Sequence, residues 1–591
     1  MRRALNSRAA ILRALALLAA GLLVTSAAAQ SLRPLLPPDT VAAFGVQGLS
    51  QQQAKIQPFI DAFTRLGVGK AFQEAFAPAE KQAEKSAGVP NLNQMPKELQ
   101  GLGLLDVLGN QAYLAVSVSQ SDPLPAVTFV ARLDAKAQQA AATLISDNAG
   151  KSGVQRLNES GVDFYVDTVK NGDGTTTTIA YAQDGALIAA SSNADVLRGV
   201  LRRHKGASEP SFTDQDGYKA TLAKLGDGQV YTYLAPAPAG PILKPILDAQ
   251  GFDTLSQRLE NALTTIGTVA AVTRLTSTGI ESQSLQQLDG NGKDAALYTM
   301  LASATPASTA PLGFVPQGAL SVSSSAVSVT DWWNYLGDLV ASAPQLGVGD
   351  LDQFVKGMVG IDLRSDLFDW TGQNVATISM PSAAGAQQPG MPSSDMLGAS
   401  VFVLQSKDDA AAGKGLADLF AKLSSQLASF TNPSGSAPAP QPSTHQAGGV
   451  TVTSVTMAPG VSLSYAVAGG QAFIGTSASG LDAVLSARQS GAALPPKLAS
   501  LRGRIPQGAH TFTLTDSQAS IRNSAASVVT GLQTMAGLGG SKGLDMAKVT
   551  AATDALSKYL EFVAGKMGSA VSYSQVTNGV ISGRGLSQVS W

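Results

Sequence analysis

Two long stretches of this chain read alike, and that repeat limits the fold more than any other feature of the sequence. Leu36-Pro37-Pro38-Asp39-Thr40 opens one stretch and Val315-Pro316-Gln317-Gly318-Ala319 opens the other. Leu104 to Gly109 matches Leu367 to Gly372, Thr128-Phe129-Val130 matches Val401-Phe402-Val403, and Ile179 to Ala182 matches Leu463 to Ala466. The stretch from Gly228 to Leu234 aligns with Gly508 to Leu514, which sets His510 where Val230 stands, and Thr278-Gly279 aligns with Asn578-Gly579. A unit repeated in this way folds the same way twice, so an account of one half is an account of both.

Within each unit the pattern alternates between two periods. Val162, Phe164 and Val166 interleave with Asp163, Tyr165 and Asp167, as Val450 and Val452 do with Thr451 and Thr453. Period-two alternation buries one side of a strand and wets the other. Asn171-Gly172, Asp184-Gly185 and Asn578-Gly579 supply the positive φ of tight hairpins, so the sheet is expected to be largely antiparallel. Between the strands, Phe59, Ile60, Phe63 and Leu66 recur at helical spacing, as do Leu416, Leu419, Phe420, Leu423 and Leu427. Such helices cover a sheet face. The expectation is an α+β fold: a tandem duplication of a module of roughly 250 residues, each with a largely antiparallel sheet covered by helices. The modules are placed at 30–290 and 312–591, joined by a Thr/Ala/Pro/Ser linker at 291–311. Ser382 to Ser394 and Thr431 to Gly449 read as mobile insertions in the second module.

The first 29 residues read as a secretory signal. Arg2, Arg3, Arg8 and Arg13 precede an apolar run from Ala14 to Val24, and Ala27-Ala28-Ala29 supplies small residues before Gln30. The expected location is therefore the periplasm or cell envelope, with an uncleaved N-terminal anchor as the alternative. Composition narrows the chemistry. With 41 Lys+Arg against 42 Asp+Glu there is no electrostatic footprint for nucleic acid, and without cysteine there is neither a disulfide framework nor a thiolate site.

The Leu-Pro-x-Asp opening, the segment from Gly360-Ile361-Asp362-Leu363 to Trp370-Thr371-Gly372, and the strand Ala180 to Ala190 together carry a resemblance. The chain resembles an exported bacterial family catalogued as domain of unknown function 3352. The resemblance implies an envelope-facing α+β protein and brings no catalytic residues with it. The first half departs from it where Val107 replaces Trp370.

The search for chemistry yields little. His204 sits in a basic helix end, Arg202-Arg203-His204-Lys205 before Gly206; His445 falls in the Pro-rich loop; His510 begins a strand. No Gly-x-Ser-x-Gly elbow occurs, and Gly475 to Gly480 reads as a strand end followed by a helix N-cap. Asp214-Gln215-Asp216-Gly217 and Asp289 to Asp294 read as turns rather than calcium loops, and Asp106 and Asp369 as turn organisers. No cofactor or metal site is assigned. Trp332-Trp333, after a helix N-cap at Thr330-Asp331, is the candidate surface contact: neighbours on a helix point about 100° apart, so one ring enters the core and the other meets solvent. Trp591 is expected to complete the last strand beside Val589. The function expected is a non-catalytic envelope protein that binds or scaffolds, with an apolar ligand, lipid, membrane surface or envelope protein as partner. The alternative is an envelope hydrolase with an unrecognised Ser/His or carboxylate site.

Overall fold

The computed structural model describes residues 31–75, 110–119, 122–150, 153–170, 176–381, 399–431, 442–458, 461–538 and 545–591. The expected signal segment, Asp106, Val107 and the Asn171-Gly172 turn lie outside these residues.

The first half contributes ten strands: β1 (Thr40–Gln47), β2 (Gln111–Ser119), β3 (Asp122–Arg132), β4 (Val154–Glu159), β5 (Val162–Lys170), β6 (Thr176–Asp184), β7 (Leu187–Ser191), β8 (Val230–Leu234), β9 (Thr268–Leu275) and β10 (Gly279–Gln287). The second contributes β11 (Ser321–Ala326), β12 (Thr371–Met380), β13 (Ala399–Ser406), β14 (Ser443–Ala447), β15 (Val450–Ala458), β16 (Val461–Val467), β17 (Gln471–Gly475), β18 (Thr511–Asp516), β19 (Met567–Thr577) and β20 (Val580–Val589). In the first half the pairing runs β4-β5-β6-β7-β3-β2-β1-β8-β9-β10, antiparallel throughout. In the second it runs β14-β15-β16-β17-β13-β12-β11-β18-β19-β20, again antiparallel throughout and in the same order.

The halves do not each close a sheet of their own. β10 pairs with β20, which joins everything into one 20-stranded sheet. The contact is reciprocal: Gly279 faces Gln588 while Gln287 faces Val580, about a central pair of Gln283 and Arg584. That is the pattern of a two-fold interface between identical subunits, here within one chain. Helices repeat the exchange. The helix after β1, Gln53–Arg65, lies against Met546–Lys566 of the second half, with Phe59 edge-on to Phe562 and Phe63 edge-on to Tyr559. The helix after β11, Val329–Ala341, lies against Asp253–Ile266 of the first half. Trp591 lies beyond the last strand and crosses to the first half, where its indole N–H donates to the Thr276 carbonyl at 2.8 Å.

The alternating strands bury both faces. On one face, Tyr113, Val130, Phe164, Ala180 and Ala189 pack under the helix Ala194–His204 through Leu197, Val200 and Leu201. Ala376, Val403, Val452 and Phe473 pack in the same way under Ala478–Ser490 through Leu481, Val484 and Leu485. On the other face the helix Ala135–Ala149 covers Val46, Ala112 and Ala131, and Asp409–Thr431 covers Leu404, Val455 and Ala472 with Leu416, Leu419 and Phe420. Leu423 packs at the edge of that cluster; the side chain of Leu427 lies outside the description. Each helix beneath the first face starts on a side-chain cap, Asn193 in one half and Ser477 in the other.

Four sequence assignments shift. The segment 303–311 is tucked into the second half rather than standing free: Ala307 and Pro311 are buried and Ala307 N–H donates to the Ala509 carbonyl. The end of the 431–449 stretch forms β14, so His445 is in a strand; 382–398 and 432–441 lie outside the described residues. Strand pairing sets Phe512, not Thr511, at the position of Tyr231, since Gly45 faces Tyr231 and Ser324 faces Phe512. His510 therefore matches Gln229, whose N–H bonds the sheet in the same way. The closing hairpins slip by one residue too: Val272 matches Tyr573 through their pairing with Tyr231 and Phe512, so Gly279 corresponds to Val580.

Candidate functional site

The helix Val329–Ala341 starts at an N-cap formed by Ser328, two residues before the expected Thr330, and Ser328 accepts from the Asp331 N–H. Its two tryptophans part as their spacing requires. Trp333 turns inward and is half-buried: its ring lies 5.2 Å from that of Phe368, and its indole N–H donates to Asp352 at 2.6 Å. Asp352 also takes the Arg364 guanidinium at 2.8 Å, which ties the following helix, Leu351–Val359, to the same corner. Trp332 faces out and is 37% exposed, so of the two it alone stands as a surface contact. One turn on, Leu336 is exposed beside it; Leu346 in the connecting turn, and Phe354 and Met358 four apart on the next helix, are exposed as well. Neither helix has a single buried residue. Gln345 binds the Gly251 carbonyl, beside the helix Gly240–Asp248, which exposes Leu243 and Ile246. Asp331 and Asp338 on the first of these helices and Asp350 at the start of the second are exposed too, and Lys356 is bound to Asp362.

A second place stands out in the sheet, where corresponding positions of the two halves are filled differently. In the first half Gly45 faces Tyr113, and a Cβ on Gly45 would meet the Tyr113 ring at 2.1 Å, so only glycine lets that ring lie across the sheet. Arg33 lies on the Tyr231 ring at 3.9 Å and donates to the hydroxyls of Tyr113 and Tyr218. It is buried, and among the described residues it has no carboxylate partner and its Nη2 has no hydrogen bond. Burial pushes the Tyr113 hydroxyl up to about 12, against the pull of Arg33. In the second half the corresponding residues are Ser324, Ala376 and Phe512, and Leu312 stands at the same offset as Arg33. An open cleft of about 160 Å³ lies there.

The remaining sequence candidates resolve into structure. His204 bonds Asp184 at 2.8 Å beside Lys205, Arg202 bonds Glu209, and Arg203 holds the Leu35 carbonyl, so this basic helix end is fully partnered. His445 pairs with Asp482 at 2.8 Å, and His510 meets the Thr305 carbonyl at 3.1 Å. No described histidine bonds a serine hydroxyl, and no group of three metal-ligating side chains occurs among the described residues. Asp369 is exposed. Its neighbour Asp366 organises the turn instead, buried on Lys422 at 2.6 Å, and the Asp366 carbonyl takes the Trp370 indole N–H. Asp214 caps a short turn with Ser211, and Asp294 caps Ala295–Leu301 while accepting from Tyr335. Leu336, Leu346, Phe354, Met358 and the Arg33 cluster were not singled out from sequence. The i, i+4 pairs Trp332/Leu336 and Phe354/Met358 were the visible signal.

These features define an α+β protein on one antiparallel sheet, with two helices that expose apolar side chains and no assembled catalytic group among the described residues. The chain belongs to the family described as Protein of unknown function (DUF3352), which it matches over residues 70–536. No curated protein matches it. The solved crystal forms III and I of TP0453 are similar at 8% and 9% identity, covering 47% and 44% of this chain and 88% and 80% of theirs. Their TM-scores of 0.24 and 0.23 are too low to add to the functional argument.

Proposed function

We propose that this is a non-catalytic, exported cell-envelope protein that rests on a lipid surface through the helices Val329–Ala341 and Leu351–Val359. The observation that carries the reading is the exposure of Trp332, Leu336, Leu346, Phe354 and Met358 on helices with no buried residue. These side chains are exposed on two successive helices and the turn that joins them. A bilayer interface deforms to receive protruding apolar groups, whereas a small apolar ligand needs a concave site. The exposed aspartates favour zwitterionic over anionic headgroups. No helix among the described residues is long and apolar enough to cross a membrane. The N-terminal Arg cluster, apolar run and Ala27-Ala28-Ala29 support export.

The test is co-flotation with phosphatidylcholine vesicles, read together with Trp fluorescence. Wild type is expected to float, and the Trp332→Ser/Met358→Ser variant to lose at least tenfold in partitioning with its unfolding midpoint unchanged. Absence of flotation, or equal flotation of the variant, rejects the lipid surface and leaves an envelope protein as the partner of this corner.

A further inference from the structure

The helix Leu351–Val359 is held on the molecule more lightly than its sequence leads one to expect. At about 100° per residue, Phe354, Met358, Leu351, Val355 and Val359 share one sector roughly 140° wide. That is the apolar stripe of a helix that lies on a surface. Docking uses the stripe poorly. Leu351, Val355 and Val359 are only half-buried, with Val359 at the edge of the cluster under Asp409–Thr431. Phe354 is exposed, and Met358, at 62%, is the most exposed large apolar side chain among the described residues.

The rest of the hold is polar. Asp352 accepts from the Trp333 indole N–H and takes Arg364 through Nε and Nη2 at 3.0 and 2.8 Å, while Arg364 also donates to Asn334. Lys356 pairs with Asp362 at 2.9 Å. Ion pairs this open to water contribute little. Both ends of the helix are glycine joints: Gly347 at φ 70° and Gly360 at φ 67° stand in the left-handed region, and Gly349 follows the first of them.

We propose that this helix is a flap. On a lipid surface it leaves the Asp352–Arg364 latch, turns about Gly347 and Gly360, and lays its whole stripe in the interface. The inference rests on the lipid reading above and adds how that site is regulated. Docked, the helix offers lipid Phe354 and Met358; released, it offers Leu351, Val355 and Val359 as well. Lipid therefore binds the released form more tightly and draws the equilibrium toward it. A segment with few buried contacts opens at low cost. Trp332 and Leu336, exposed on the neighbouring helix, make the first contact.

The chain has no cysteine, and a Cβ added at Gly337 would lie 4.0 Å from Leu351 Cβ, within the span of a disulfide. Gly337→Cys/Leu351→Cys therefore locks and unlocks the helix in one protein. With phosphatidylcholine vesicles the reduced variant is expected to float, and the oxidised variant to fall at least fivefold in partitioning and recover on reduction. Asp352→Asn and Arg364→Gln change the net charge in opposite directions, yet each should speed the lipid-induced change in Trp fluorescence threefold or more. Equal flotation of the oxidised and reduced forms overturns the flap and leaves the lipid reading standing, whereas absence of wild-type flotation overturns both. If the cysteine pair prevents folding, the two latch variants decide, and rates equal to wild type overturn the flap.

Discussion

At corresponding points of its sheet the molecule makes opposite choices. Below Ala194–His204 the first half lays Tyr113 over Gly45 and seats a buried arginine on Tyr231. Below Ala478–Ser490 the second half keeps Ser324, Ala376 and Phe512 and leaves an opening. The strand order around the two points is the same, so the difference arises from side chains and from the segment leading into each first strand, Arg33–Leu35 in one half and the longer Ala310–Phe314 in the other. One scaffold thus tolerates either a packed aromatic plug or a vacant, amide-walled notch. The plug carries a buried cation that rests on an aromatic face and hydroxyl oxygens, with no carboxylate beside it among the described residues. The notch carries an unmet amide instead.

The largest expected effect lies on the filled side. Tyr113→Ala should lower unfolding stability by about 3–5 kcal/mol, as other buried aromatic truncations do, because the ring is fully buried and supports Arg33. Urea denaturation measures this, and a loss below about 1 kcal/mol would show that the plug is no core element. The next effect is on pH. Tyr113 holds its proton up to about 12 in the folded chain, against 10 in the unfolded chain. A folded value raised in this way gives stability that is complete below pH 10 and is lost as pH climbs toward 12. Alkaline titration of stability should therefore fall over that window, and Tyr113→Phe should flatten the fall; an unchanged slope would place the ionising group elsewhere. The smallest effect tests sameness. Asn193→Ala and Ser477→Ala each remove the N-cap of the helix beneath the first face and should each cost about 1 kcal/mol. Unequal losses, read from thermal melts, would mean that the halves differ below the cleft as well as in it.

Much of the architecture was legible locally. Val162 and Val452 alternate with polar neighbours, and both sit at 0–3% exposure in matching strands. Ser477 caps its helix as Gly475 to Gly480 suggested. What escaped was non-local. The sequence separated two modules, yet β10 and β20 are rich in Ser, Gln and Gly and show no clear apolar side, so nothing in their pattern announces that they meet. His510 sits one residue off its sequence match because Gly228–Leu234 and Gly508–Leu514 agree at both ends in sequence, whereas strand partners set Phe512 at the position of Tyr231. The exposed helix pair was half legible. Trp332-Trp333 is visible as a doublet, but the exposure of Leu346, Phe354 and Met358 is a property of the fold and not of their spacing. The cleft could not be read at all, since it depends on residues as far apart as Ser308 and Gln471.

The reciprocal meeting of β10 and β20 has a bearing on how the chain is born. β20 lies far along the chain from β10, so β10 keeps one open edge until β20 reaches it. Open edges invite strand addition by other molecules. Without β20, β10 and β19 would both be left as raw margins with a strong tendency to stick to their own kind.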